Sequence, residues 1–194
     1  MTPMLGIMAS QISGHLAPYN ASDYESISTS APAGNNSITF SSIGATYKHL
    51  QVRYIARSSL VALGFAGMTI NLNGDTGSNY AYHRFYGTGG SANADSGATQ
   101  TSATLGGAAA ASNLASEFVA GIVDIHDYTS TSKNKTVRSF WGGDDNTNGA
   151  NGTIHLDSGL WYATPVAITS ITFTLGSGQT FATNSQFALY GIKG

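Results

Sequence analysis

Cysteine is absent from these 194 residues. That excludes a disulfide scaffold, a thiolate zinc site and a cysteine nucleophile. Charge is nearly as scarce: Asp, Glu, Lys and Arg together make up 9% of the chain, where about 25% is usual. The net charge of -2 leaves no basic footprint for nucleic acid or for an anionic membrane. Glutamate occurs only at Glu25 and Glu117, so no glutamate-rich constellation for acid–base chemistry can be nominated. Met1 to Leu16 has no basic residue ahead of its apolar part and no long apolar run. Neither a secretory signal nor a membrane span is expected there. No apolar repeat of helical period runs through the chain, so no long helix is expected.

What remains is Ser, Thr, Asn and 24 Gly. A surface solvated by hydroxyls and amides carries little charge to keep copies apart, which suits life in an assembly. Residues 1–22 read as an extended arm. Met1, Met4, Leu5, Ile7, Met8, Ile12 and Leu16 are apolar without a clean period, and Gly6, Gly14 and Pro18 interrupt any helix. Such an arm must lie on something, either its own domain or a neighbouring subunit. Residues 23–194 then form one domain, a length that suits a single sandwich or barrel.

Apolar and β-branched residues at period two predict strands at Tyr24–Ile27, Ser37–Phe40, Leu50–Arg57, Met68–Leu72, Tyr80–Tyr86, Phe118–Ile125, Val137–Trp141 and Thr153–Trp161. Asn73-Gly74-Asp75-Thr76-Gly77 is a strong turn signal. The C-terminal stretch, with Ile168–Leu175 and Phe187–Ile192 separated by Gly176-Ser177-Gly178, reads as two strands paired with each other. Residues 86–117 carry few large side chains beyond Leu105 and Leu114. They are expected to be a long Gly/Ala/Ser-rich surface loop, ordered by another chain through those two leucines. The expected fold is an all-β antiparallel sandwich, jelly-roll-like because its strands are short and irregular.

Four local patterns invite chemistry. Asp144-Asp145-Asn146-Thr147-Asn148-Gly149 places oxygen donors Asp144, Asn146 and Asn148 as at the start of a calcium loop. His155 stands where the loop's bidentate Glu should be, so a polar hairpin loop is the expected reading. Asp124 and His126 share a strand face, as do His155 and Asp157, but no Gly-x-Ser-x-Gly supplies a nucleophile. Tyr80, Tyr82, Trp141 and Trp161, with Phe85, Tyr86 and Tyr162, are candidates for a sugar-stacking platform, or else fill the core and its rim. No catalytic residue is nominated, and the chain is expected not to be an enzyme.

In order along the chain stand Met4-Leu5-Gly6-Ile7-Met8-Ala9-Ser10, Tyr24-Glu25-Ser26-Ile27, Ser37-Ile38-Thr39-Phe40-Ser41-Ser42-Ile43 and Tyr47-Lys48-His49-Leu50-Gln51-Val52-Arg53. Asn73-Gly74-Asp75-Thr76-Gly77-Ser78-Asn79-Tyr80, Lys135-Thr136-Val137-Arg138-Ser139-Phe140 and Phe187-Ala188-Leu189-Tyr190-Gly191-Ile192-Lys193-Gly194 follow. This order resembles a family of small proteins of tailed bacteriophages, encoded among head and tail structural genes. The resemblance covers almost the whole chain and implies a virion component, assembled in the host cytoplasm, without catalytic residues or cofactor. Its expected role is head decoration: a cement protein, trimeric, clamped on the major capsid protein or other virion proteins, with the arm residues, Leu105 and Leu114 in contact. The alternative role is a tail or fibre-tip module that recognises a host glycan, with calcium as an aid. Neither nucleic acid nor membrane is an expected partner.

Overall fold

A computed structural model describes residues 23–62, 64–144 and 152–194. The arm residues Met4, Leu5, Ile7, Met8 and Ile12, and the loop residues Asn146 and Asn148, lie outside the described residues. The described residues form twelve strands: β1 (Tyr24–Ser30), β2 (Ser37–Phe40), β3 (His49–Ala56), β4 (Phe65–Leu72), β5 (Tyr80–Thr88), β6 (Ser91–Gln100), β7 (Ala103–Ala109), β8 (Val119–Ile125), β9 (Lys135–Gly143), β10 (Thr153–Trp161), β11 (Ile171–Leu175) and β12 (Gln186–Ile192). They make two antiparallel sheets packed as a sandwich. The larger runs β1-β12-β3-β8-β9-β10-β5-β6 and the smaller β2-β11-β4-β7. Successive strands cross to the opposite sheet except at β5–β6 and along β8–β9–β10, which are neighbours in the larger sheet.

Alternation sets most strand faces. Leu50, Val52, Tyr54 and Ala56 of β3 point inward, as do Met68, Ile70 and Leu72 of β4 and Ile171, Phe173 and Leu175 of β11. They meet Val123, Ile125, Phe187 and Leu189 in one core. A one-residue slip would turn every such set to solvent, so the pattern holds the register. The outer face of the smaller sheet is wet: Thr39, Thr172 and Asn71 form one row, and Ser37, Thr174 and Thr69 the next. Polar outside and apolar inside is the ordinary state of an antiparallel sheet.

Two expectations are corrected. Residues 86–117 are not a long loop, because β6 and β7 occupy most of them. The small side chains of β7 are required by what the opposite sheet and the adjacent strand β4 supply. A Cβ on Gly107 would fall 2.5 Å from the Trp141 ring, and one on Gly106 would fall 2.6 Å from the Met68 methyl. The bulk that fills the core under β7 thus comes from its neighbours, and β7 itself shows no strand-forming side chains but Thr104 and Leu105. The last two strands do not pair with each other. β11 lies between β2 and β4, while β12 lies between β1 and β3. The connection between them crosses the sandwich, with a bridge from Phe181 to Ser58 on the way.

The sheets differ in width, and that difference positions the site. β7 closes the edge of the four-stranded sheet over β10, β9 and β8, with lesser contacts to β3 and β5. The eight-stranded sheet extends beyond it through β5 and β6.

Candidate functional site

Strand β10 breaks the rule that β3, β4 and β11 follow. Its buried positions are Thr153, His155, Asp157, Gly159 and Trp161, and its outward positions are Ile154, Leu156, Ser158 and Leu160. The polar residues face in and the aliphatic ones face out. Both consequences are informative.

On the outside, the aliphatic face of β10 joins those of its neighbours. Ile122, Phe140, Leu156, Phe85 and Ala94 stand side by side on β8, β9, β10, β5 and β6. Phe140, Leu156 and Phe85 are 53%, 57% and 58% exposed. The adjacent row is Ala120, Gly142, Ile154, Gly87 and Ala92, with Ile55 of β3 continuing it. A raised apolar ridge therefore runs beside a low apolar trough. The low floor is obligatory at one point, since a Cβ on Gly142 would fall 2.7 Å from the Thr153 carbonyl oxygen. An open cavity of about 960 Å³ follows this trough, with Phe140, Ile154 and Asp144 in its lining. The next row across the ridge is polar, with Asp124, Arg138, Ser158, His83 and Ser96. A contiguous apolar face bordered by polar residues is the mark of a contact surface.

On the inside, the polar face of β10 is absorbed by an aromatic and ionic network. The His155 ring lies between Trp141, 3.8 Å away between centroids, and Tyr86, 4.8 Å away, all nearly parallel. Trp141 Nε1 donates to Asp157 Oδ2 at 2.7 Å. Across β5 from Asp157, Arg84 donates from Nε to Asp95 Oδ1 at 2.7 Å. The guanidinium holds the Asp95 carboxyl below its ordinary range. His155 Nδ1 stands 3.8 Å from Asp157 Oδ1, and neither atom has a hydrogen-bond partner; nor does Ser139 Oγ, on the neighbouring strand. Ser139 is buried and makes no hydrogen bond to His155. The three side chains therefore do not form a nucleophile–base relay, which needs that bond and access to substrate.

A third cluster joins loops at one end of the larger sheet. Asp127 Oδ1 is 3.0 Å from Lys48 Nζ and its Oδ2 is 2.7 Å from Lys133 Nζ. Hydrogen bonds from Lys133 and then Lys48 lower its pKa to about 2. The backbone N–H of Asp127 donates to His49 Nδ1, and His126 packs edge-on against the His49 ring. Asp124 accepts from Gln51 Nε2 at 2.7 Å. The Asp124–His126 pair expected on one strand face is thus divided between two structural clusters.

The other sequence candidates are distributed as follows. Tyr80, Trp141 and Trp161 are core residues and present no open ring face. Tyr80 donates to the Asp75 carbonyl oxygen and accepts from the Leu72 N–H. Trp161 Nε1 donates to the Asp75 carboxylate at 2.6 Å. Tyr82 is half-buried, with the Arg84 guanidinium 5.2 Å over its ring. Leu105 is 1% exposed and belongs to the core, whereas Leu114 is 47% exposed on the β7–β8 connection. Asp144 is exposed just beyond β9. Among the described residues no cluster of three His, Asp or Glu side chains could hold a metal ion. Of the outer-face residues, Phe85 belongs to the aromatic set marked from the sequence, whereas Phe140, Ile154 and Leu156 escape it. The sequence signal of all four is strand alternation, which gives the period but not which side faces the core.

The chain was compared with family models, curated proteins and solved structures, and it matches none of them.

Proposed function

We propose that this protein is a non-enzymatic structural component of a bacteriophage virion, acting by surface contact, with head decoration as its role. The observation that carries the reading is the apolar ridge and trough on the outer face of β8, β9, β10, β5 and β6. A sheet that turns Ile154, Leu156 and Leu160 outward while burying His155 and Asp157 is built for a neighbour on that side. The wiring supports the same reading. Without the pairs β5–β6 and β9–β10, the sheets are β1-β12-β3-β8 and β2-β11-β4-β7. We read this order as that of an eight-stranded jelly roll, an architecture used by viral capsid domains and by lectins. Fold alone does not assign function, so the weight rests on the exposed face and on the resemblance of the ordered sequence motifs.

A tail-tip module for host glycan is the weaker reading, because Tyr80, Trp141 and Trp161 offer no exposed platform. The deciding experiment is mass spectrometry and cryo-EM of purified particles of the parent phage. Density for this sandwich on the capsid lattice, at three-fold or local three-fold positions, is the expected result. Density at the tail alone would transfer the role to the tail. Absence of the chain from purified particles would overturn the proposal.

A further inference from the structure

We infer that the occupant of the outer apolar face is a second copy of this chain, packed face to face across a two-fold axis that runs between the ridge and the trough. This rests on the reading of that face as the contact surface, and adds what covers it.

The geometry follows from the ladder. Take an axis perpendicular to the strands and midway between the two rows. Rotation about it lays the ridge of one copy over the trough of its mate and keeps each strand over its own counterpart. Phe140 then sits over Gly142, Phe85 over Gly87, Ile122 over Ala120 and Ala94 over Ala92. On the five strands β8, β9, β10, β5 and β6 every pair but one sets a larger or equal residue against a glycine or an alanine, and on β3 the same rotation sets Arg53 over Ile55. The exception is central, Leu156 against Ile154 on β10, the strand whose aliphatic face is turned out. An isologous contact needs such self-complementarity, since the same patch must serve as both halves.

The same rotation makes a prediction about charge that shape did not build in. The polar row one step beyond the ridge falls over the positions one step beyond the trough. Along β9 those are Arg138, two residues before Phe140 on the outer face, and Asp144, one residue past the strand's end in the lining of the cavity over the trough. Each copy's Arg138 is therefore laid over the other's Asp144, twice per dimer. Both are exposed, and no ion pair among the described residues uses either.

The area is sufficient. Five strands spaced ~4.8 Å apart, over four rows of alternate residues, cover roughly 650 Å² in projection. Side-chain relief raises the accessible area above the projected one. A standard stable interface buries about 800 Å² per partner. Two sheets so packed keep their strands within about 30° of alignment, about 10 Å apart. The contact closes at two copies, so a trimer would need a separate surface.

The test is sedimentation equilibrium on the full chain and four variants. The wild type is expected at twice the 20.0 kDa chain mass. Phe140→Asp should weaken dimerisation by on the order of 30-fold or more, as loss of a central anchor does. Gly87→Phe fills the trough from within. A Cβ there meets nothing nearer than 3.5 Å, so the fold tolerates it while the mate's Phe85 is shut out. Arg138→Asp and Asp144→Arg should each weaken the dimer, and the double charge reversal should restore it to within a few-fold. A wild type that stays monomeric would overturn the inference, even with the chain found in virions. A dimer or larger oligomer that ignores Phe140→Asp and Gly87→Phe, or a reversal that fails to rescue, would also overturn it. A dimer that behaves as described, from a chain missing from virions, would sink the virion role and leave the inference standing.

Discussion

Replacing Arg57 with Met should loosen one end of the sandwich by a calculable amount. Arg57 lies just past β3, nearly buried, and its guanidinium is spent on main chain rather than on a carboxylate. Nη1 donates to the carbonyls of Leu114 and Glu117 at 2.6 and 2.9 Å, and Nη2 to those of Ala111 and Asn113 at 2.9 and 2.8 Å. The connection from β7 to β8 is thus tied at four points to one side chain. A hydrogen bond to a charged group contributes about 1.5–3 kcal/mol, so four would sum to more than about 6 kcal/mol if independent and irreplaceable. They are neither. The segment reaches solvent, with Leu114 47% exposed, so water takes up part of what Met gives away. Met also retains most of the apolar stem and removes the cost of burying a charge. The expected loss is about 2–4 kcal/mol, or roughly 5–15 °C in melting temperature for a domain of this size. Urea unfolding followed by the fluorescence of Trp141 and Trp161 measures it. Limited proteolysis should show new cleavage within residues 110–117, where the ties were. Arg57→Lys should fall between, since an ammonium cannot span four carbonyls as a planar fork does. A loss below about 1 kcal/mol without new cleavage would refute the assignment of this segment's order to Arg57.

Gly121→Ala should destabilise by about 1–3 kcal/mol through overpacking, because its Cβ would fall 2.4 Å from Tyr54 Cζ; an unchanged urea midpoint would count against the packing of β8 under that ring. Trp141→Phe keeps an aromatic ring on His155 but removes the donor to Asp157 Oδ2, at a cost of about 1–3 kcal/mol for a buried acceptor left unsatisfied; a neutral result would mean that Asp157 finds another partner. Asp127→Asn tests the lysine clamp through pH. A carboxylate whose folded pKa lies at about 2, below its ordinary value, contributes stability that is full above the ordinary value and fades as pH falls toward 2. The variant should be less stable than wild type at neutral pH, and the difference in melting temperature should shrink between about pH 4 and pH 2; a difference constant across that range would show that the clamp does not hold the charged form.

Most strands were legible because their burial has a period. Ser37–Phe40 and Thr153–Trp161 are strands over the same residues that the alternation marked. The turn at Asn73-Gly74-Asp75 is also where it was expected, with Asn73 and Gly74 at positive φ. What alternation could not show is what each side faces. At Thr153–Trp161 the even and odd sets are apolar and polar, and the ordinary rule would bury Ile154 and Leu156. The structure buries His155 and Asp157 instead, because Trp141, Tyr86 and Arg84 on the flanking strands accommodate them. β6 and β7 were illegible for a related reason. Strand propensity reports a side chain's fit to its neighbours, and in Gly106-Gly107 the fit belongs to Trp141 and Met68. Asp75 reads as a turn former, yet its carboxylate also receives Trp161 Nε1, the first cause of its lowered pKa. Nothing in the spacing of Asp75 and Trp161 announces that contact.

The inverted strand ties the two faces together energetically. A protein that needed only to fold would gain by turning β10 over, placing Ile154, Leu156 and Leu160 against Leu105 and leaving His155 and Asp157 to water. Holding the opposite register leaves His155 Nδ1, Asp157 Oδ1 and Ser139 Oγ without partners, each a cost on the order of 1–3 kcal/mol. Register is strongly specified where one face is buried, so the polar interior must be fixed by the strands beside β10. Trp141 on β9 and Arg84 on β5 do this, by binding Asp157 and by flanking it. The same two strands carry Phe140 and Phe85, the outward neighbours of Leu156. Removing the inner anchors and removing the outer ridge should therefore be coupled: Trp141→Phe, which frees β10 to slip, should weaken self-association although Trp141 is buried. If Trp141→Phe lowers stability but leaves the dimer constant untouched, the outer face is held by something other than the polar interior beneath it.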